Sequence, residues 1–214
     1  MRLVLPRLYV ILDAALLTTP DTDCAQKLAG AGVRLLQYRN KNASTRELFE
    51  ASNRLASLLV PQGVTFFVND RADVAALAGA SGVHVGQEDL GVEAARSVIG
   101  PGKLVGVSTH NLEQFKRAAA TSADYIAVGP VFATSSKANP DPVVGTDLLR
   151  QVRPLTDKPI VAIGGITLDR AMEAFEAGAD SIAVISDILL APDPGRRVRQ
   201  YIQKLDAANH AAAV

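Results

Sequence analysis

Two short apolar runs end in acidic residues. Val68-Asn69-Asp70 closes the first, and Val83-His84-Val85 passes through Gly86-Gln87-Glu88 to Asp89 in the next. Runs this short, bounded by glycine and polar residues, predict strands of a parallel sheet buried on both faces. Neighbouring strands lie about 4.8 Å apart, so on adjacent strands Asp70 and Asp89 converge on one point, where two carboxylates repel unless a cation stands between them. The pair therefore predicts a hard divalent ion, Mg2+, held to receive a polyphosphate. Each aspartate also fits a plainer role as a helix cap, Asp70 before Arg71-Ala72 and Asp89 before Gly91.

Other residues with chemistry lie at comparable places. Gln37, Arg39 and Lys41 alternate at the end of an earlier strand, so Gln37 and Arg39 share a face while Leu36 and Tyr38 take the other. If Leu35 points inward with them, a guanidinium near the mouth of the sheet needs an anionic partner, either a ligand or an acidic side chain of the next helix. Ser108 can hydrogen-bond a substrate nitrogen or cap a helix. His84 and His110 suit either a general base or a packed, hydrogen-bonded core position. Gly129-Pro130-Val131-Phe132-Ala133 leads into Thr134, Ser135, Ser136 and Lys137, and no helix signal follows until about Gly145. Loops this long are functional or solvated; these hydroxyls beside a lysine can surround phosphate oxygens and close over substrate. Gly164-Gly165-Ile166 and Ile185-Ser186 end two later runs, and backbone N–H groups there can bind a phosphate or simply make a tight turn.

The elements that must hold these residues follow from the apolar pattern. Strands are expected at 8–12, 33–38, 65–68, 83–85, 104–107, 125–128, 160–163 and 181–184, with helical spacing between each pair, as in Leu112, Phe115 and Ala119. Eight such units in 214 residues predict a single-domain (β/α)8 barrel, an α/β TIM barrel, over 1–206, with 207–214 a frayed tail. A doubly wound sheet is the competing arrangement, but the glycine-rich turn it needs after strand one is replaced by Asp13-Ala14-Ala15. Polar residues also follow strands two to eight rather than one switch point. In a barrel those exits make one face.

Composition narrows the functional classes. Lys+Arg 22 balances Asp+Glu 22, so nucleic acid is not an expected partner. No run approaches the roughly 18 apolar residues of a membrane helix, and Met1 to Val10 lacks a signal peptide's apolar stretch. Cys24 is the single cysteine, which fits a small core residue in a reducing compartment. A cytoplasmic protein is expected. The sequence sets no oligomeric state, and a homo-oligomer is compatible with it.

Taken together, these pieces resemble the thiamine phosphate synthase family over nearly the whole length. The matching stretches are Gln37-Tyr38-Arg39-Asn40-Lys41, Val68-Asn69-Asp70, His84 to Asp89, Gly106-Val107-Ser108, Gly129 to Phe132 with Thr134, Ser136 and Lys137, Gly164-Gly165-Ile166, and Ile185-Ser186. The resemblance implies a barrel that joins 4-amino-5-hydroxymethyl-2-methylpyrimidine diphosphate to a thiazole phosphate, or its carboxylated form, releasing pyrophosphate. It implies that Asp70 and Asp89 hold Mg2+ and that Gln37, Arg39, Lys41, Asn69 and Lys137 hold the pyrimidine diphosphate, with Tyr38 and Asn40 beside them. Ser108 is implied at the pyrimidine, Thr134, Ser135, Ser136 and Gly165 at the thiazole, and Ile185-Ser186 at its phosphate. Arg39, Lys41, Ser108 and Lys137 are the implied catalytic groups. Asn40 replaces a frequent acidic residue, Ser136 a frequent threonine, and Tyr38 is bulky where the chain should face the helices. Two rivals remain: a thiazole tautomerase on the same barrel, which needs a base rather than a metal, and a non-catalytic barrel that binds a phosphorylated metabolite.

Overall fold

Consecutive parallel strands, each hydrogen-bonded to the next, return to the first. In the computed structural model, which describes residues 3–134 and 141–212, the strands are β1 (Leu8–Asp13), β2 (Leu35–Arg39), β3 (Thr65–Asn69), β4 (Gly82–Val85), β5 (Leu104–Thr109), β6 (Tyr125–Val128), β7 (Ile160–Ile163) and β8 (Ser181–Val184). Among the described residues they form one closed barrel in chain order, β1 pairing with β8. The seam starts where Ser181 Oγ donates to the Pro6 carbonyl at 2.8 Å and Ile182 N donates to the Arg7 carbonyl at 2.9 Å.

Alternation along each strand divides the core in two. Val10, Leu12, Leu36, Tyr38, Phe66 and Val68 point outward into the large cluster shared with the helices. Tyr9, Ile11, Leu35, Phe67, Tyr125, Ala127, Val161 and Ala183 point inward and form a separate cluster, as the two-residue period requires. Three inner rings close the barrel: Tyr9 and Phe67 lie 5.9 Å apart, Tyr9 and Tyr125 6.0 Å, and Phe67 and Tyr125 5.6 Å, the last two pairs edge-to-face. Room for them comes from glycine. A β-carbon on Gly82 would sit 2.4 Å from the Phe67 ring, and one on Gly106 2.0 Å from that of Tyr125.

The helices are amphipathic covers. α1 (Asp21–Gly30) and α2 (Thr45–Leu59) pack on the early strands, and Ser44 with Glu47 forms a reciprocal capping box at the start of α2. α3 (Ala72–Leu77), α4 (Val92–Ile99), α5 (Leu112–Ala119), α6 (Gly145–Val152) and α7 (Ala171–Glu176) follow strands three to seven. After β8 comes a single-turn α8 (Ser186–Leu189) and then α9 (Pro194–Ala212). The last helix runs into the segment where a frayed tail is expected; its alanines at 207–208 and 211–212 favour helix, and residues 213–214 lie outside the described residues. No helix among the described residues is long and apolar enough to cross a membrane.

Candidate functional site

The strand exits open into a cavity of about 610 Å3, within the range of small-molecule sites. Its lining combines side chains from most strands: Gln37, Arg39 and Lys41 from β2 and its exit, Asn69 and Asp70 from β3, Asp89 after β4, and Ser108 from β5. Thr134, Gly165, Ile185 and Ser186 complete the opposite side. Of the remaining expected site residues, Tyr38 and Asn40 do not line it. Tyr38 is on the outward side of β2 and buried among the helices, and Asn40 caps its hydroxyl from 3.4 Å away; the pleat that sends Gln37 and Arg39 inward sends Tyr38 out. Ser135, Ser136 and Lys137 lie outside the described residues.

Asp70 and Asp89 do meet. β3 and β4 are adjacent with Asn69 opposite His84, and Asp70 adopts a left-handed conformation at φ 62°, unusual for a residue with a β-carbon. Neither aspartate caps a helix through its side chain: the residues before α3 and α4 are Arg71 and Gly91. Asp70 pairs with Lys41, while the Gly86 N–H donates to Asp89 Oδ2 at 2.7 Å. Burial, and then the Asp70 carboxyl in hydrogen-bonding contact, push the Asp89 carboxyl above the usual aspartate range. Two facing carboxylates, one poorly neutralised, are the donor set a divalent ion takes when phosphate and water complete its shell. Among the described residues no group of three or more His, Cys, Asp and Glu could hold a metal by themselves.

Asp13, Tyr9 and Tyr125, which support the lining, had no clear signal in the sequence. Asp13, at the end of β1, is 3% exposed and ion-paired with Arg39, whose side chain it steers. Beneath the cavity, Gln37 Nε2 donates to the Tyr9 hydroxyl at 2.7 Å, the Tyr9 and Tyr125 hydroxyls are 3.0 Å apart, and the Tyr125 hydroxyl is 2.8 Å from His84 Nδ1. His84 Nε2 is in turn 2.8 Å from Ser108 Oγ. His84 is thus a hydrogen-bonded interior residue. His110 lines the cavity with Nδ1 2.6 Å from the Gly129 carbonyl and Nε2 3.5 Å from Asp141.

The far side is built from loops pressed together. Gly164 and Gly165 take φ values of 99° and 62°, and a β-carbon on Gly165 would stand 2.2 Å from the Ala133 carbonyl oxygen. The missing side chains make room for the loop after β6, which stays paired with β7 through Val131 N to Ile163 O at 2.8 Å and Phe132 N to Gly164 O at 3.0 Å.

The family model described as thiamine monophosphate synthase matches residues 8–188. A thiamine-phosphate synthase of Koribacter versatilis is 52% identical over 95% of this chain and 97% of its own, and one of Chloroflexus aurantiacus is 45% identical over 91% and 90%. The chain belongs to the thiamine-phosphate synthase family. A solved thiamine phosphate pyrophosphorylase from Pyrococcus furiosus superposes with a TM-score of 0.85 at 35% identity, covering 94% of this chain and 96% of that one. Members of the thiamine-phosphate synthase family are transferases of thiamine biosynthesis that condense a pyrimidine and a thiazole unit into thiamine phosphate, and this chain carries the family's barrel and its fold-wide match.

Proposed function

We propose that this chain joins 4-amino-5-hydroxymethyl-2-methylpyrimidine diphosphate to a thiazole phosphate with loss of pyrophosphate, using the groups at the mouth of the barrel. The observation that carries the reading is the division of one cavity: facing carboxylates of Asp70 and Asp89 beside Arg39 and Lys41 on one side, and Gly165 and Ser186 lining the other. One half suits a diphosphate, the other a phosphate without a metal.

Mg2+ bound between Asp70 and Asp89 would supply charge neutralisation for the departing pyrophosphate. Arg39, held in place by Asp13, and Lys41 would bind the diphosphate oxygens, and Lys137 would add a third cation from the loop. As the bond between the pyrimidine methylene and the diphosphate oxygen breaks, its electron pair goes to pyrophosphate, and these cations stabilise the charge gathering there. The methylene cation, delocalised into the aminopyrimidine ring, is then captured by the lone pair of the thiazole nitrogen. Gln37 and Ser108 orient the ring, and Gly165 with Ile185-Ser186 fixes the thiazole phosphate so that the nitrogen starts about 3–3.5 Å from the carbon. Thr134, Ser135 and Ser136 would close the thiazole side. No nucleophilic side chain is required. That chemistry, on phosphorylated substrates that cross membranes poorly, belongs in the cytoplasm, and the buried free thiol of Cys24 is compatible with a reducing compartment.

Incubation of the protein with both substrates and Mg2+, measuring pyrophosphate and thiamine phosphate together, tests the reading. Equimolar appearance of the two, abolished by EDTA, is expected. Turnover that survives EDTA, or pyrophosphate release with no thiamine phosphate, would overturn it.

A further inference from the structure

The hydrogen bonds beneath the cavity form an unbroken line across the barrel, Gln37 to Tyr9 to Tyr125 to His84 to Ser108. Its two ends, Gln37 and Ser108, line the cavity, whereas Tyr9 and Tyr125 are buried behind it at 1% and 0% exposure. Each interior link owns one proton. A phenol donates one and accepts, and a neutral imidazole donates at one nitrogen and accepts at the other. Burial holds both phenols protonated far above their usual range, so neither tyrosine drops out of the sequence by ionising.

The direction then propagates. Gln37 Nε2 donates to Tyr9, so the Tyr9 proton goes to Tyr125 and the Tyr125 proton to His84 Nδ1. His84 must carry its own proton on Nε2 and give it to Ser108 Oγ. Two consequences appear at the cavity wall: Gln37 presents its carbonyl oxygen, and Ser108 is left with its hydroxyl proton to offer. Reversing one end requires reversing every link, because a broken direction leaves a buried polar group unpaired. The sequence keeps space for this line, since a β-carbon on Gly106 would lie 2.4 Å from the Tyr125 hydroxyl oxygen.

We propose that Tyr9, Tyr125 and His84 are positioning residues whose one-way hydrogen-bond line sets the cavity to accept at Gln37 and donate at Ser108, selecting a heteroaromatic ring that offers an exocyclic N–H to the first and an unprotonated ring nitrogen to the second. This rests on the aminopyrimidine reading above and adds the device that enforces it. A 4-oxo ring offers the Gln37 carbonyl another acceptor in place of the N–H and is rejected. The charged half of the cavity, which holds the diphosphate, is independent of the line.

The test separates the device from the reaction. The chain has three histidines, and nitrogen-15 spectra of the ligand-free protein, with His84→Gln to assign the signal, report the tautomer of His84. A proton on Nε2 is expected; a proton on Nδ1 overturns the proposal. Binding of the 4-amino and 4-oxo 5-hydroxymethylpyrimidine monophosphates, which carry no pyrophosphate to lose, is then measured by calorimetry. The wild-type protein should prefer the amino compound, and Tyr125→Phe, which keeps the ring, should cut that preference by about tenfold or more. An unchanged preference in folded Tyr125→Phe, or none in the wild type, overturns it. If the wild-type protein releases no pyrophosphate from the substrate pair, the reaction reading fails, while the tautomer and the preference still decide the line.

Discussion

At the scale of single residues, the carboxylate pair makes opposite demands on activity and stability. Burial and the neighbouring Asp70 raise the Asp89 pKa in the folded state, so ionising Asp89 costs the metal-free fold stability, lost progressively as pH rises from the ordinary aspartate range through the raised one. Asp89→Asn keeps an acceptor for the Gly86 N–H and removes the charge. Calorimetric melts without metal should show no gain in Tm below the ordinary aspartate range and a Tm higher by about 1–3 °C once pH has risen past the raised one. The same substitution, like Asp70→Asn, should lower turnover by at least about 100-fold; a normal rate in either variant would remove the metal assignment. Asp13→Asn frees Arg39 from its ion pair, and steady-state kinetics should show KM for the diphosphate rising about tenfold with a smaller change in kcat. The residues bearing obvious charge at strand ends, Arg39, Lys41, Asp70 and Asp89, were legible from alternation and spacing. Asp13 was not, because a lone aspartate after a strand looks the same whether it caps a turn or steers an arginine, and the Tyr9–Tyr125 contact joins positions 116 residues apart that no local pattern connects.

At the scale of elements, loops after β6 and β7 act as one unit because backbone meets backbone at Gly164 and Gly165. Gly165→Ala forces a β-carbon into a left-handed position and against the Ala133 carbonyl, so denaturant titration should show a loss of about 2 kcal/mol or more. Affinity for the thiazole phosphate should fall with it, while binding of pyrophosphate by the Asp70 side stays within about twofold. At the opposite end of the barrel, Arg153 Nη1 donates to Asp180 Oδ2 at 2.6 Å, and the same oxygen accepts from Ile160 N at 2.8 Å, tying β7 to β8. Strand positions were readable to within two residues because buried parallel strands are short apolar runs. The glycines' purpose was less accessible: a Gly-Gly turn suggests a ligand approaching, and here the nearest atoms are the protein's own loop.

At the scale of the whole molecule, the inside of the barrel is filled by three rings in a cluster separate from the one the helices cover. Phe67→Ala leaves a hole between Tyr9 and Tyr125, and thermal unfolding should reveal a cost of about 3–5 kcal/mol, a drop in Tm of roughly 10 °C, with a further loss of activity as the Gln37–Ser108 line loosens. The eightfold strand-helix repeat made the architecture readable in advance. The seam between β1 and β8 has a consequence for biosynthesis. β1 is made early yet has a vacant edge until Ser181–Val184 leave the ribosome, so a nascent chain carries an unpaired strand margin through most of its translation. Stalled or truncated products that stop short of β8 should adhere to one another through that margin, making them clients for holding chaperones where the finished protein is not.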